Sequence, residues 1–309
     1  MMFLIAGSNS KALAEKISSL SNIPMAKTSL KKFPDGENYI RIDSDLSGQD
    51  VLLVASMFPD QNSSLMEFLF LADACRDLGA RKTTAIIPYF AYGRQDKQFQ
   101  KGEALSLKTL AGLFKVVGIQ KIITVESHFH RKPESFDFFG IPATNISAGK
   151  ILLDKIKEKT GAELFVIGPD IESGKTVEFA TGKKIMFKKE KICPECKKAA
   201  IECKCVGTNK NYEVKDLKGD IDFDFRGKTV VILDDMIASG STMVKAAEKV
   251  RADGAKKVIC AATHGLFIGN SLKILQEKSD YLIVTDTIAT PASAVSVAGL
   301  IAETIKKSV

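Results

Sequence analysis

The chain has no run of eighteen or more apolar residues, so no helix of it is expected to span a bilayer. It also lacks a basic leader. Met1 to Gly7 is too short for a secretory signal, carries no positive start and reads as a first buried strand, so a cytoplasmic location is expected. No basic stripe is interleaved with aromatics. Net charge is +7, from 44 Lys and Arg against 37 Asp and Glu, but the lysines are scattered. That speaks against a nucleic-acid groove and suits polyphosphate ligands better. Cysteine is sparse outside one stretch: of six, Cys75 and Cys260 stand alone in apolar surroundings as core thiols. What is present is ample apolar material, 45% of 309 residues, enough for one large or two medium α/β domains.

The most informative stretch runs from Thr229 to Thr242. Thr229 to Leu233 is β-branched or aliphatic throughout and reads as a buried parallel strand. Asp234 and Asp235 follow. Ile237 to Thr242 is a loop of mostly small residues, and a helical pattern runs from Met243 to Val250. In open parallel sheets, ligands sit past the carboxyl ends of the strands. Backbone N–H groups and the Ser239, Ser241 and Thr242 hydroxyls at a helix start suit a phosphate. Asp234 and Asp235 suit sugar hydroxyls, directly or through a divalent cation. An acidic pair alone reads as a solvated strand end; the ordered set reads as a seat for a phosphorylated sugar.

Elsewhere the chain alternates. Strands are expected at Phe3–Ala6, Val51–Ala55, Thr83–Ile87, Lys121–Val125, Leu164–Gly168, Lys184–Phe187, Lys257–Ala262 and Tyr281–Val284. Helices are expected at Lys11–Ser19 with Ser10 as N-cap, Ser63–Leu78 closed by Gly79, Ser106–Val117, Ala148–Lys157, Ile171–Ala180, Leu272–Gln276 and Ser296–Lys306. Ile141-Pro142 reads as the start of a boundary. The alternation argues for parallel sheets with helices on both faces, in two βα series.

Four further segments carry candidate chemistry. Phe33-Pro34-Asp35-Gly36-Glu37 is strong turn chemistry and alone reads as an ordinary turn. Arg94-Gln95-Asp96-Lys97 follows a buried strand; Arg94 can pair with phosphates bidentately and Gln95 can read a base edge. His128 follows the next strand and reads equally as a metal ligand or a loop histidine. Asp170, after Gly168-Pro169, is again an acid at a strand end. His130 and His264 read as loop or packing residues.

In this order the motifs Phe-x-Asp-Gly-Glu, Tyr-x-Arg-Gln-Asp, a histidine after a strand, Pro-Asp, and Asp-Asp with the small loop resemble the ribose-phosphate pyrophosphokinase family. Thr263 to Phe267 and Thr285 to Ile288 add to the likeness, which runs from about Met2 to Ala302, broken near 193–213. The resemblance implies two phosphoribosyltransferase-like α/β domains, each a mostly parallel sheet flanked by helices: 1–146 for ATP and 147–309 for ribose 5-phosphate, with the last helix packing on the first. It implies diphosphate transfer from ATP to the sugar 1-hydroxyl, with AMP as second product. Phe33, Asp35 and Glu37 would reach ATP from a neighbouring subunit of a homodimer or larger assembly. Arg94, Gln95 and Asp96 would hold ATP, His128 and Asp170 magnesium. Asp234, Asp235, Ser239, Gly240, Ser241 and Thr242 would seat the sugar phosphate. A lysine and an arginine, two apart, would act from a mobile loop. Lys189 fills the first position, but Lys191 stands where arginine is usual, keeping the charge and losing the planar fork. Ala238 stands where Asp, Ser or Thr is more usual. Two other readings stand beside this one: a non-catalytic regulatory relative, and a phosphoribosyltransferase acting on a base.

The family does not ordinarily carry Cys193-Pro194-Glu195-Cys196 followed by Cys203-Lys204-Cys205, in an insert at about 190–213. A CxxC followed by a CxC reads as a four-thiolate zinc site, with iron–sulfur as the minor option and disulfides a poorer reading in a cytoplasmic chain. It falls just after Lys191, where zinc would give the catalytic loop a folded tip.

Overall fold

The computed structural model describes residues 2–98, 100–130, 133–192, 213–219 and 223–308. It divides into two compact units. The first takes Met1–Ala148, Thr263–Leu266 and Val284–Val309; the second takes Gly149–Ala262 and Phe267–Ile283. The fold class is α/β, with mostly parallel sheets flanked by helices.

The chain opens with β1 (Met2–Ala6), α1 (Lys11–Ser21), β2 (Thr28–Lys32), β3 (Asn38–Ile42), β4 (Asp50–Val54), α2 (Gln61–Asp77) and β5 (Lys82–Ile87). It continues through α3 (Ser106–Val116), β6 (Ile119–Val125), β7 (Ser135–Asp137) and β8 (Pro142–Ile146). The six-stranded sheet has the order β1-β4-β5-β6-β8-β7, parallel throughout except that β7 runs antiparallel to β8. Its central strands are apolar on both faces, as burial under helices on each side demands: Val51 to Val54 and Ala85 to Ile87 are all buried. Ile141-Pro142, read as a boundary, instead leads into β8 of this sheet. Proline is tolerated there because it is the first residue of its strand.

α2 starts where Asp60 accepts the Ser63 N–H at 3.1 Å, and its end is followed by Gly79 with φ +75°. Ser10 precedes α1, but its hydroxyl accepts the Ser56 N–H at 2.8 Å, so it ties the loop after β4 rather than capping the helix. Beneath the strand exits lies an aromatic cluster. Phe90 packs against Phe114 at 5.9 Å, Phe138 at 5.3 Å and Phe129 at 5.1 Å. Phe90 follows β5 and Phe129 follows β6, so packing of these rings on one another ties the paths of both loops together.

Beyond α4 (Gly149–Thr160) come β9 (Leu164–Ile167), α5 (Gly174–Thr181), β10 (Phe187–Ile192), β11 (Glu213–Gly219), β12 (Thr229–Ile237), α6 (Ser241–Ala252), β13 (Lys257–Gly265), α7 (Ser271–Lys278) and β14 (Tyr281–Thr285). The second unit's sheet has the order β14-β13-β12-β9, with β12 parallel to β9. The end of β14, Val284–Thr285, belongs to the first unit and pairs in parallel with β15 (Ser293–Val295). The chain closes with α8 (Ala298–Ser308), which packs on α1 within the first unit.

Two local expectations change. The strand expected at Lys184–Phe187 is an isolated bridge between Met186 and Gly168, and the true strand begins at Phe187. The helix expected from Ile171 begins three residues later, at Gly174, because Asp170 to Ser173 forms a hydrogen-bonded turn first.

Candidate functional site

In the first unit, β2 and β3 form an antiparallel hairpin in register Lys32 with Asn38. The Pro-Asp-Gly turn is its tip. Phe33 N–H donates to the Glu37 carbonyl at 2.8 Å, Gly36 N–H to the Phe33 carbonyl at 2.9 Å, and Glu37 N–H to Asp35 Oδ1 at 3.1 Å. Gly36 adopts φ +96°, which a residue with a Cβ resists. The tip holds Phe33 48% exposed, with its ring edge-on to Tyr39 at 5.8 Å. Lys32 Nζ donates to Ser63 Oγ at 2.8 Å and Asn38 Nδ2 to the Ser63 carbonyl at 3.1 Å, which docks the hairpin on the start of α2.

After β5 the chain buries Tyr89, Phe90 and Ala91, turns at Tyr92 (φ +63°), and exposes Arg94, Gln95 and Asp96. The Tyr92 hydroxyl bonds Asn62 and the Ser106 hydroxyl bonds Gln95 Oε1, so α2 and α3 both brace the turn. A Cβ on Gly93 would lie 3.3 Å from the Cβ of His128, so the absence of a side chain there lets the Arg94 turn pack on the residue after β6. His128 is half-buried. Its segment is braced: Ser127 N–H donates to Asn145 Oδ1 at 2.9 Å, and Asn145 Nδ2 donates to the His130 carbonyl at 2.6 Å. The structure thus brings the Arg94 turn and His128 together.

In the second unit, β12 runs on to Ile237, so Asp234 and Asp235 lie within the strand, followed by Met236 and Ile237, rather than after it. Asp235 N–H donates to Asp234 Oδ1 at 2.9 Å, and Met236 N–H donates to Asp235 Oδ1 at 2.9 Å. Asp234 is pushed well above the usual carboxylate range, first by burial, then by the charge of Asp235 and a side-chain hydrogen bond to it, with the Asp170 charge adding to the effect. Asp170 follows β9, and its Oδ1 accepts the N–H groups of Glu172 and Ser173, each at 3.1 Å. Asp170 is thus near enough for its charge to act on Asp234. Among the described residues, no three His, Cys, Asp or Glu side chains are placed to hold one ion by themselves.

The loop at the start of α6 is anchored from below. Phe267 N–H donates to the Ile237 carbonyl at 3.1 Å, and Ile268 N–H and the Ser271 hydroxyl donate to the Ala238 carbonyl at 3.0 and 3.1 Å. Gly240 sits at φ +73°, and a Cβ there would lie 3.1 Å from Leu275 and 3.2 Å from Ser271. Both the backbone angle and the space demand glycine. The Ser239 and Ser241 hydroxyls lie 3.4 Å apart at the start of α6, and a helix start is a place that favours an anion.

Lys189 and Lys191 lie on β10, not on a loop. β10 pairs antiparallel with β11, Lys189 opposite Leu217 and Lys191 opposite Val214, with a register shift between Glu190 and Lys191. Cys193, Cys196, Cys203 and Cys205 lie outside the described residues. Cys75 and Cys260 are buried thiols, both pushed up to about 12 by burial.

Residues 2–118 match the family model described as the N-terminal domain of ribose phosphate pyrophosphokinase, and residues 194–308 match the phosphoribosyl synthetase-associated domain. A ribose-phosphate pyrophosphokinase of Saccharolobus solfataricus is 35% identical over 290 residues, covering 93% of each chain. One from Pyrococcus furiosus is 34% identical, covering 95% of this chain and 97% of its own. The chain belongs to the ribose-phosphate pyrophosphokinase family. A crystal structure of phosphoribosylpyrophosphate synthetase from Mycobacterium smegmatis superposes with a TM-score of 0.79 at 28% identity, covering 99% of this chain and 98% of the other.

Within this ribose-phosphate pyrophosphokinase fold, the residues singled out from sequence fall into two sets. Phe33, Asp35, Glu37, Arg94, Gln95, Asp96 and His128 belong to the first unit; Asp170, Asp234, Asp235 and the 239–242 loop belong to the second. Sequence reasoning passed over Glu126 and Asn145, the buried polar groups that shape the exit of β6. The available signal was a glutamate following four uncharged, buried residues of a strand, Ile122 to Val125.

Proposed function

We propose that the chain transfers the diphosphate of ATP to the 1-hydroxyl of ribose 5-phosphate, giving phosphoribosyl pyrophosphate and AMP. The observation that carries this reading is near full-length likeness to ribose-phosphate pyrophosphokinases. The acid pair leading into a glycine-started helix supports it.

In this reading the N–H groups and hydroxyls of Ser239, Gly240, Ser241 and Thr242 hold the 5-phosphate. Asp234 and Asp235 accept hydrogen bonds from the ribose hydroxyls and so orient the ring. Phe33 offers a face for adenine, Asp35 and Glu37 take ribose and base polar groups, and this hairpin serves the ATP site of a second copy. Arg94 pairs with phosphate oxygens, while Gln95 and Asp96 fix the nucleotide. His128 and Asp170 would hold magnesium, which needs only one or two protein ligands when phosphates and water supply the rest. When bound, it offsets the charge that grows on phosphate oxygens. The sugar oxygen attacks the β-phosphorus in line, the bond to the α-phosphate oxygen breaks, and AMP leaves. Lys189 and Lys191 stabilise charge on the transferred group. The 1–146 and 147–309 division assigns ATP to the first domain and the sugar to the second.

Protein mixed with ATP, ribose 5-phosphate and magnesium should yield AMP. Lys189→Ala should lower kcat at least about a hundredfold while ATP binding persists, as expected for a group acting mainly on the transition state. ADP in place of AMP contradicts the reading. Lys191 in place of arginine favours one second reading, a relative that binds nucleotide without turnover; such a protein binds ATP and forms no AMP.

The CxxC and CxC pairs support a structural zinc held by Cys193, Cys196, Cys203 and Cys205. Purified protein should carry about one zinc per chain, the count expected of a single four-thiolate site. Serine at Cys193 and Cys196 should remove it. Metal content unchanged in that variant contradicts the site.

A further inference from the structure

His264 takes no part in the chemistry just described, yet its surroundings go beyond packing. It lies near the end of β13, in a segment of the first unit, and is 1% exposed. Its Nε2 is 3.1 Å from the Val125 carbonyl oxygen and 3.3 Å from that of Glu126. A carbonyl only accepts, so Nε2 carries the hydrogen. Nδ1 lies 2.9 Å from the Thr287 hydroxyl and is hydrogen-bonded to it. The hydroxyls of Thr285 and Thr287 lie 2.6 and 3.0 Å from the Thr263 carbonyl, so the ring sits in a fixed polar frame.

The two carbonyls mark the place where β6 stops being a strand. Glu126 has φ +42°, a conformation that a residue with a side chain adopts only when its surroundings enforce it. Its buried carboxylate accepts the Ala148 N–H at 3.0 Å and the Ser147 hydroxyl. His128 comes two residues later. The other side of the ring meets Tyr89 edge-on at 5.1 Å, and Tyr89 begins the segment that turns into Arg94. That turn packs on His128 through Gly93. One imidazole therefore touches both strand exits from which the proposed ATP-side residues project.

We propose that His264 is a positioning residue for the nucleotide: its Nε2–H holds the Val125–Glu126 bend and thereby sets the placement of His128 and the adjoining Arg94 turn against magnesium-bound ATP. This rests on the diphosphate-transfer reading and adds a residue to it. A side chain that merely filled space would be replaceable by phenylalanine, and one that merely stabilised the fold would affect both substrates alike.

The test compares His264→Phe, which keeps a ring and loses the donor, with His264→Gln, whose amide can donate from the Nε2 position. The phenylalanine variant should raise KM for magnesium-ATP about tenfold, the scale of one lost buried hydrogen bond. KM for ribose 5-phosphate should stay within about twofold, and glutamine should recover most of the loss. Calorimetric binding of magnesium-ATP should follow the same order. Thr287→Val, which removes the hydroxyl at Nδ1, provides a second variant and should show the same split in smaller measure. Unchanged ATP binding in His264→Phe overturns the inference alone. So does a loss shared equally by both substrates and kcat. No ATP binding by the unaltered chain overturns the functional reading and this inference with it.

Discussion

Asp234 shows a carboxylate kept at a cost to the ligand-free protein. Burial and the neighbouring charges of Asp235 and Asp170 raise its pKa. A raised folded pKa means that the folded state loses stability as pH rises through that value, and that the penalty is absent once the pH has fallen below the unfolded value of 3.8. Asp234→Asn removes the charge and keeps the shape. Without magnesium or substrate, the variant should melt about 2 °C or more above the parent at neutral pH, the shift expected for roughly 1 kcal/mol in a domain of this size. The gain should shrink as pH falls below the raised pKa and be gone below 3.8. Thermal unfolding across pH reads this directly, and a variant that melts lower at neutral pH contradicts it. The same variant should bind ribose 5-phosphate more weakly, a trade of function for stability.

At the scale of elements, the hairpin of β2 and β3 carries its function at its tip. Phe33 is 48% exposed, so Phe33→Ala should change unfolding free energy by less than about 0.5 kcal/mol, as surface substitutions do. KM for ATP should nevertheless rise about tenfold if the ring stacks on the base, since such stacking is worth about 1–3 kcal/mol. Unfolding and steady-state kinetics on one preparation separate the two effects. The turn residues 33–37 were legible because Pro-Asp-Gly has few conformations, but the strands beside them were not. Thr28–Lys32 and Asn38–Ile42 are half-exposed and mostly polar, with no apolar run to mark them. The same weakness hid β10: Phe187–Ile192 is lysine-rich, and its pairing with β11 spans a long insertion. Apolar strands such as Thr229–Ile237 and Lys257–Gly265 were found almost to the residue at their starts, because burial on both faces leaves a continuous β-branched and aliphatic signal.

For the molecule as a whole, alternation of apolar strands and helices made the α/β class legible, and the order of short motifs made the family legible. Assembly of the polar groups was less so. The contacts of His264 with Val125 and Glu126 join residues 139 and 138 positions apart, which no local pattern encodes. The reaction ties these levels together, and ³¹P NMR of the unaltered protein with ATP, ribose 5-phosphate and magnesium tests it most directly. The account predicts that ATP is lost one for one with the appearance of AMP and a new diphosphate ester on the sugar. Signals of ADP with a singly phosphorylated C1, or of free pyrophosphate with no sugar diphosphate, would contradict it.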